Sequence, residues 1–135
     1  MTTIQQQFEL LQQQFPQYQL VPAWGNPHAE IMFIGDAPGK DELIKGPFAG
    51  TSGKFFDQLL ASIGLRRENI YLTNVVKFRA EKRDPNKKEI MAFNGLLRAE
   101  IAKIKPKIIV PWGVLRCRYS CRSLKSAKFT GKFIH

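Results

Sequence analysis

Two cysteines in 135 residues are too few for a disulfide framework, which points to a reducing compartment and sets the cytoplasm as the expected location. Long apolar runs are missing too. None reaches the roughly 18 residues a membrane span requires. The opening stretch "MTTIQQQFELLQQQF" has neither the basic start nor the apolar centre of a secretory signal. Disorder is excluded by a hydrophobic content of 44% with ten phenylalanines, and the length fits one domain, 1–135, with a core of its own. Acidic residues are scarce, eleven against twenty-one Lys and Arg.

That deficit is uneven. Residues 1–75 carry five Lys or Arg against seven Asp or Glu, whereas residues 76–135 carry sixteen against four. A half-chain so basic suits a polyanion, most often a nucleic acid, whose phosphates dominate affinity. A solvated basic surface is the competing explanation, and charge alone does not choose between them.

Apolar periodicity gives the organisation. Ile4, Phe8, Leu11 and Phe15 recur at helical spacing until Pro16 stops them. "AEIMFIG" (29–35) reads as a buried strand. Thr51 or Ser52 can cap a helix with Phe56, Leu59, Leu60 and Ile63 on one face, ended by Gly64. "NIYLTNVV" (69–76) is a second β-rich run. Asp84-Pro85 reads as an N-cap with proline at the first helical position. The helix so started turns Ile90, Phe93, Leu97, Ile101 and Ile104 to the core, and "KIIVPWG" (107–113) is a third strand. Alternating strands and helices predict a three-layer α/β/α sandwich around a mostly parallel sheet. In such folds ligands sit beyond the carboxyl ends of the strands.

Those ends carry Gly35-Asp36, Asn74 and Gly113. The first strand runs straight into "GDAPGKDELIKGPFAGTSGK" (35–54), a loop of glycines and prolines that suits close approach to a flat ligand. Asp36, Phe48 and Asn74 together offer a carboxylate, a stacking ring and an amide that donates and accepts at once, the equipment to hold a planar heterocycle. Each has a plainer alternative: a turn cap for Asp36, a core plug for Phe48, a backbone-bonded strand end for Asn74. "GDAPGK" is not a Walker A loop, because the four-residue spacer and the Ser/Thr after Lys40 are missing and Asp41-Glu42 would repel phosphate.

The glycine loop, together with "YLTNVVKFR", "RDPNKKEI" and "KPKIIVPWG", closely resembles the family 4 uracil-DNA glycosylases from about Asn26 to Gly113. The resemblance implies excision of uracil from DNA by hydrolysis of the N-glycosidic bond, after the nucleotide is flipped out of the duplex. Phe48 would stack on uracil, and Asn74 would read its edge and reject cytosine. Asp36, standing where the family has glutamate, would orient the attacking water and stabilise the sugar cation. Gly35 and Ala37 would line the uracil site, with N–H groups near Ala37 supporting the departing anion. Lys40, Ser52, Lys54, Lys77, Arg79, Arg83 and the Lys87-Lys88 pair are the expected DNA contacts, with ordinary solvation as the alternative for any one of them; Glu42 matches a family acid, its alternative a solvated loop charge. A monomer is expected. A non-catalytic basic DNA-binding protein, or an inactive remnant of a glycosylase, is the alternative reading.

Three departures from the family set further expectations. Its members hold a four-iron–four-sulfur cluster on four cysteines; here an early pair is absent from 1–30 and the later positions correspond to Phe78 and Phe93. No cluster and no metal are therefore expected, with aromatic packing that includes Trp24 in its place. The family's last strand and "HPS" motif are expected to be missing; His135 in "GKFIH" would precede that motif, and His28 reads as a surface loop residue. Finally, "VLRCRYSCRSLKSAKFT" (114–130) is basic and poorly amphipathic, either a local reading-frame slip or a genuine DNA-binding tail.

Overall fold

Thr3 and Gln6 start the first helix by capping each other: the Thr3 hydroxyl accepts the Gln6 N–H at 3.1 Å and the Gln6 carboxamide accepts the Thr3 N–H at 2.9 Å. Helix α1 (Ile4–Gln14) ends where predicted, one residue before Phe15 and Pro16. The computed structural model describes residues 3–39, 50–80, 83, 85–112 and 132–133, with backbone only at 50–52, 112 and 132–133. The other elements are β1 (Trp24–Gly25), β2 (Ile31–Gly35), α2 (Gly50–Ser62), a 3₁₀ turn (Arg67–Asn69), β3 (Ile70–Asn74), α3 (Lys87–Ile104), β4 (Ile108–Trp112) and β5 (Lys132–Phe133).

The strands form one sheet in the order β1-β3-β2-β4-β5, parallel throughout except where β1 runs antiparallel to β3. Alternation along the strands feeds two separate cores. Met32, Ile34, Tyr71 and Ile109 pack against α1 and α3 through Leu11, Ile90, Phe93, Leu97 and Ile101. Phe33, Ile70 and Leu72 face the other way, onto Phe56 and Leu60 of α2. Each such buried side chain contributes about 1.5–3 kcal/mol. This is the α/β/α sandwich expected from the sequence.

Several details differ. Leu59 and Ile63 are 40% and 64% exposed: Phe56 and Leu60 already occupy the sheet-facing row, and Ile63 lies past the last helical residue. Helix α2 begins at Gly50, so Thr51 and Ser52 fall inside its first turn instead of capping it. Gly64 does end that segment, in a left-handed conformation at φ +77°. Helix α3 is capped by Asn86, because its side chain takes the Glu89 N–H at 2.9 Å and the Glu89 carboxylate takes the Asn86 N–H at 3.0 Å. Pro85 therefore precedes the cap, and Asp84 lies outside the described residues. A two-residue strand, β5, pairs in parallel with β4. Segment 114–130 lies outside the described residues. Among the described residues no helix is long and apolar enough to cross a membrane.

Strand β1 went unpredicted, and one glycine permits it. Gly25 has φ +130°, and a Cβ there would stand 2.3 Å from the Ile70 carbonyl oxygen. Gly25→Ala should therefore lower the unfolding free energy by about 1–3 kcal/mol. A shift of the urea midpoint at unchanged slope would register it.

Candidate active site

Strands β2, β3 and β4 end level with one another: Gly35 is paired with Asn74 on one side and with Trp112 on the other. Beyond the register the two chains stay laced. The Val75 N–H donates to the Gly35 carbonyl at 2.8 Å and the Val76 N–H to the Asp36 carbonyl at 3.0 Å. Gly35, Asp36, Ala37 and Asn74, four of the residues singled out in the sequence, thus meet at the carboxyl end of the sheet. Asp36 and Ala37 are half-buried, and Pro38 is buried behind them.

Asn74 is 3% exposed. Strand alternation puts its side chain on the α2 face with Ile70 and Leu72, while Tyr71 and Thr73 face α3. Among the described residues, no hydrogen bond to the Asn74 carboxamide accompanies that burial; its main-chain carbonyl accepts instead, from Lys77.

Lys77 requires a correction. Expected at phosphate, it is 1% exposed and turned into the protein, under α3. Its ammonium lies 2.8 Å from the equally buried Glu100 carboxylate and also donates to the Thr73 hydroxyl and the Asn74 carbonyl. The Tyr71 hydroxyl donates to the other Glu100 oxygen at 3.2 Å. Burial first, and then the charge of Glu100, hold the Tyr71 hydroxyl far above its ordinary ionisation range. One signal in the sequence could have revealed this network: Glu100 sits within the apolar row of α3, beside Leu97, Ile101 and Ile104, and a carboxylate there needs a buried cation.

Arg83, by contrast, is 46% exposed and donates through both terminal nitrogens to Glu89 at 2.6 and 2.9 Å. That hydrogen bonding holds the Glu89 carboxyl below its ordinary range, so the pair braces the start of α3. Lys54 is exposed on α2, and Arg79 is half-buried just past β3. Lys40, Glu42, Phe48, Gly113 and the Ser52 side chain lie outside the described residues. His28 is exposed in a turn, as expected.

Behind the site, Phe78 and Phe93 are both fully buried, with ring centroids 5.7 Å apart. Tyr18 stacks on Phe78 at 4.0 Å, and Phe15 touches both phenylalanines at 5.4 and 5.5 Å. Trp24, expected in this cluster, is instead 46% exposed on β1. Tyr18 and Phe15 take its place because the segment after α1 folds back and the Val21 N–H bonds the Lys77 carbonyl at 2.7 Å.

The sequence profile of the uracil DNA glycosylase superfamily matches residues 22–133, which span every strand of the sheet. The chain belongs to the uracil DNA glycosylase superfamily. Within that superfamily it is similar to the type-4 uracil-DNA glycosylase of Archaeoglobus fulgidus, 48% identical over 95 residues, which cover 69% of this chain and 48% of the relative. The type-4 enzyme of Saccharolobus solfataricus is 42% identical over 121 residues, 84% of this chain and 56% of the relative. That of Sulfurisphaera tokodaii is 46% identical over 102 residues, 73% and 46% respectively. The chain spans about half the length of these curated relatives.

Proposed function

We propose that this chain carries the uracil-excising chemistry of its superfamily: hydrolysis of the N-glycosidic bond of uracil in DNA, by a monomer acting in the cytoplasm. The observation that supports the reading is that Asp36 and the buried Asn74 lie at adjacent strand ends laced together through the main chain. Asn74 would bond the Watson–Crick edge of the extruded base and leave cytosine, with a donor where uracil has an acceptor, mismatched. Phe48 would stack on the ring. The Asp36 carboxylate would orient water toward the sugar C1′ and stabilise positive charge there. As the C1′–N1 bond breaks, its electron pair leaves with uracil, which N–H groups near Ala37 would stabilise. Water supplies the hydroxyl of the abasic sugar, and its remaining proton passes to the medium or the leaving base. Lys40, Ser52, Lys54, Arg79 and Arg83 remain the proposed DNA contacts.

We further propose that the reaction proceeds without an iron–sulfur cluster. Four thiolates are needed to hold one, and the positions matching the family's later ligands are Phe78 and Phe93, packed ring against ring with Tyr18 and Phe15. The residues present do not fit that group.

The test is alkaline cleavage of an oligonucleotide bearing one uracil, beside its cytosine counterpart. Breaks confined to the uracil strand support a glycosylase; retention on both strands without breaks identifies a non-catalytic DNA binder. Asn74→Asp loses the amide donor and should reduce discrimination between uracil and cytosine by about 1–3 kcal/mol. Unchanged discrimination in that variant would remove Asn74 from the role.

A further inference from the structure

The proposed chemistry leaves one buried cation unassigned. The Lys77 ammonium is ion-paired with the Glu100 carboxylate at 2.8 Å and donates to two acceptors, the Thr73 hydroxyl and the Asn74 carbonyl. Its side chain therefore reaches back over the end of β3 and ties the last strand residue to α3. A hydrogen bond from a charged donor is roughly twice as strong as a neutral one. The Asn74 carbonyl is thus held from the α3 side by an ionic donor, while its carboxamide stands on the α2 side. The next two residues fix the same turn from β2, through the bonds to Gly35 and Asp36.

We propose that Lys77 is a positioning residue that sets the base-reading amide: by gripping the Asn74 main chain from behind the sheet, it fixes where the carboxamide can point. The inference rests on the reading of Asn74 as the group that meets the uracil edge. It predicts that Lys77 acts on specificity without touching nucleic acid.

The experiment uses the full chain with Lys77→Met combined with Glu100→Gln, which removes the grip without leaving a charge buried alone. Two measurements are made per folded molecule. Hydrogen exchange at the Val75 and Val76 amides should become at least tenfold faster, while Leu72 within β3 stays as protected as before. Uracil excision should fall at least tenfold at unchanged affinity for uracil-free DNA. A merely structural role would instead accelerate exchange throughout the sheet and leave excision per folded molecule intact, and that result overturns the proposal. Exchange at Val75 and Val76 equal to that of the unsubstituted chain also overturns it. If the unsubstituted chain excises no uracil but the local exchange effect appears, the grip on Asn74 stands and the assigned chemistry falls. Thr73→Val removes one acceptor and no charge. It should give the same pattern at smaller amplitude, and it decides the matter should the double variant fail to fold.

Discussion

Replacing Asp36 with alanine should lower uracil excision by a factor on the order of 10²–10³, the usual penalty for removing one preorganised group that meets developing charge. Asparagine at the same position should lower it nearly as much. The contrast matters because Asp36 stands at a strand exit, where a short polar side chain can also serve the turn. Asparagine caps a turn as well as aspartate does, but it carries no charge to set against a sugar cation. Single-turnover excision on a uracil oligonucleotide therefore separates the two explanations. Loss in both variants, with melting temperatures near that of the unsubstituted chain, assigns the effect to the carboxylate. Full activity in Asp36→Asn would reduce Asp36 to a turn residue and leave the reaction without its anion.

Glu100→Ala should be the most damaging single change to stability, at about 3–5 kcal/mol. Lys77 and Glu100 are each 1% exposed, so deleting the carboxylate strands an ammonium in the core with only a hydroxyl and a carbonyl for partners. The Tyr71 hydroxyl loses its acceptor in the same step. Against a typical total of about 5–15 kcal/mol for a domain, this is a large fraction. Adding Lys77→Met to Glu100→Ala should recover much of the loss, since removing both charges costs less than orphaning one. Urea unfolding followed by circular dichroism measures both variants. A double variant no more stable than the single one would mean that the pair is not the source of the effect.

How far the sequence could be read depended on whether a residue's surroundings were local. Pro16 stopping α1, Gly64 ending α2 and the apolar row of α3 are local patterns, and they held. Strand alternation and helix order then gave the layers and brought Asp36 and Asn74 to one end of the sheet. Lys77 failed for the opposite reason. Its partner lies twenty-three positions away on another element, and a lysine after a strand reads the same whether it faces phosphate or carboxylate. Trp24 failed similarly, because its exposure follows from β1, a two-residue strand that depends on Gly25 lying against Ile70. The Asn86 cap was obscured by Asp84-Pro85, two good starting residues placed slightly too early.

The lacing of β3's exit onto β2 has a consequence for energetics beyond geometry. The Val75 and Val76 amides brace the acid-bearing and amide-bearing turns against each other, so the two backbones are fixed together when the protein folds. Under the proposed function, a nucleotide arriving from the duplex would meet a frame already set, its contact energy left to offset the few kcal/mol that unstacking demands. The same bracing makes the two turns drift-proof as a pair: a backbone change tolerated in one must be matched in the other.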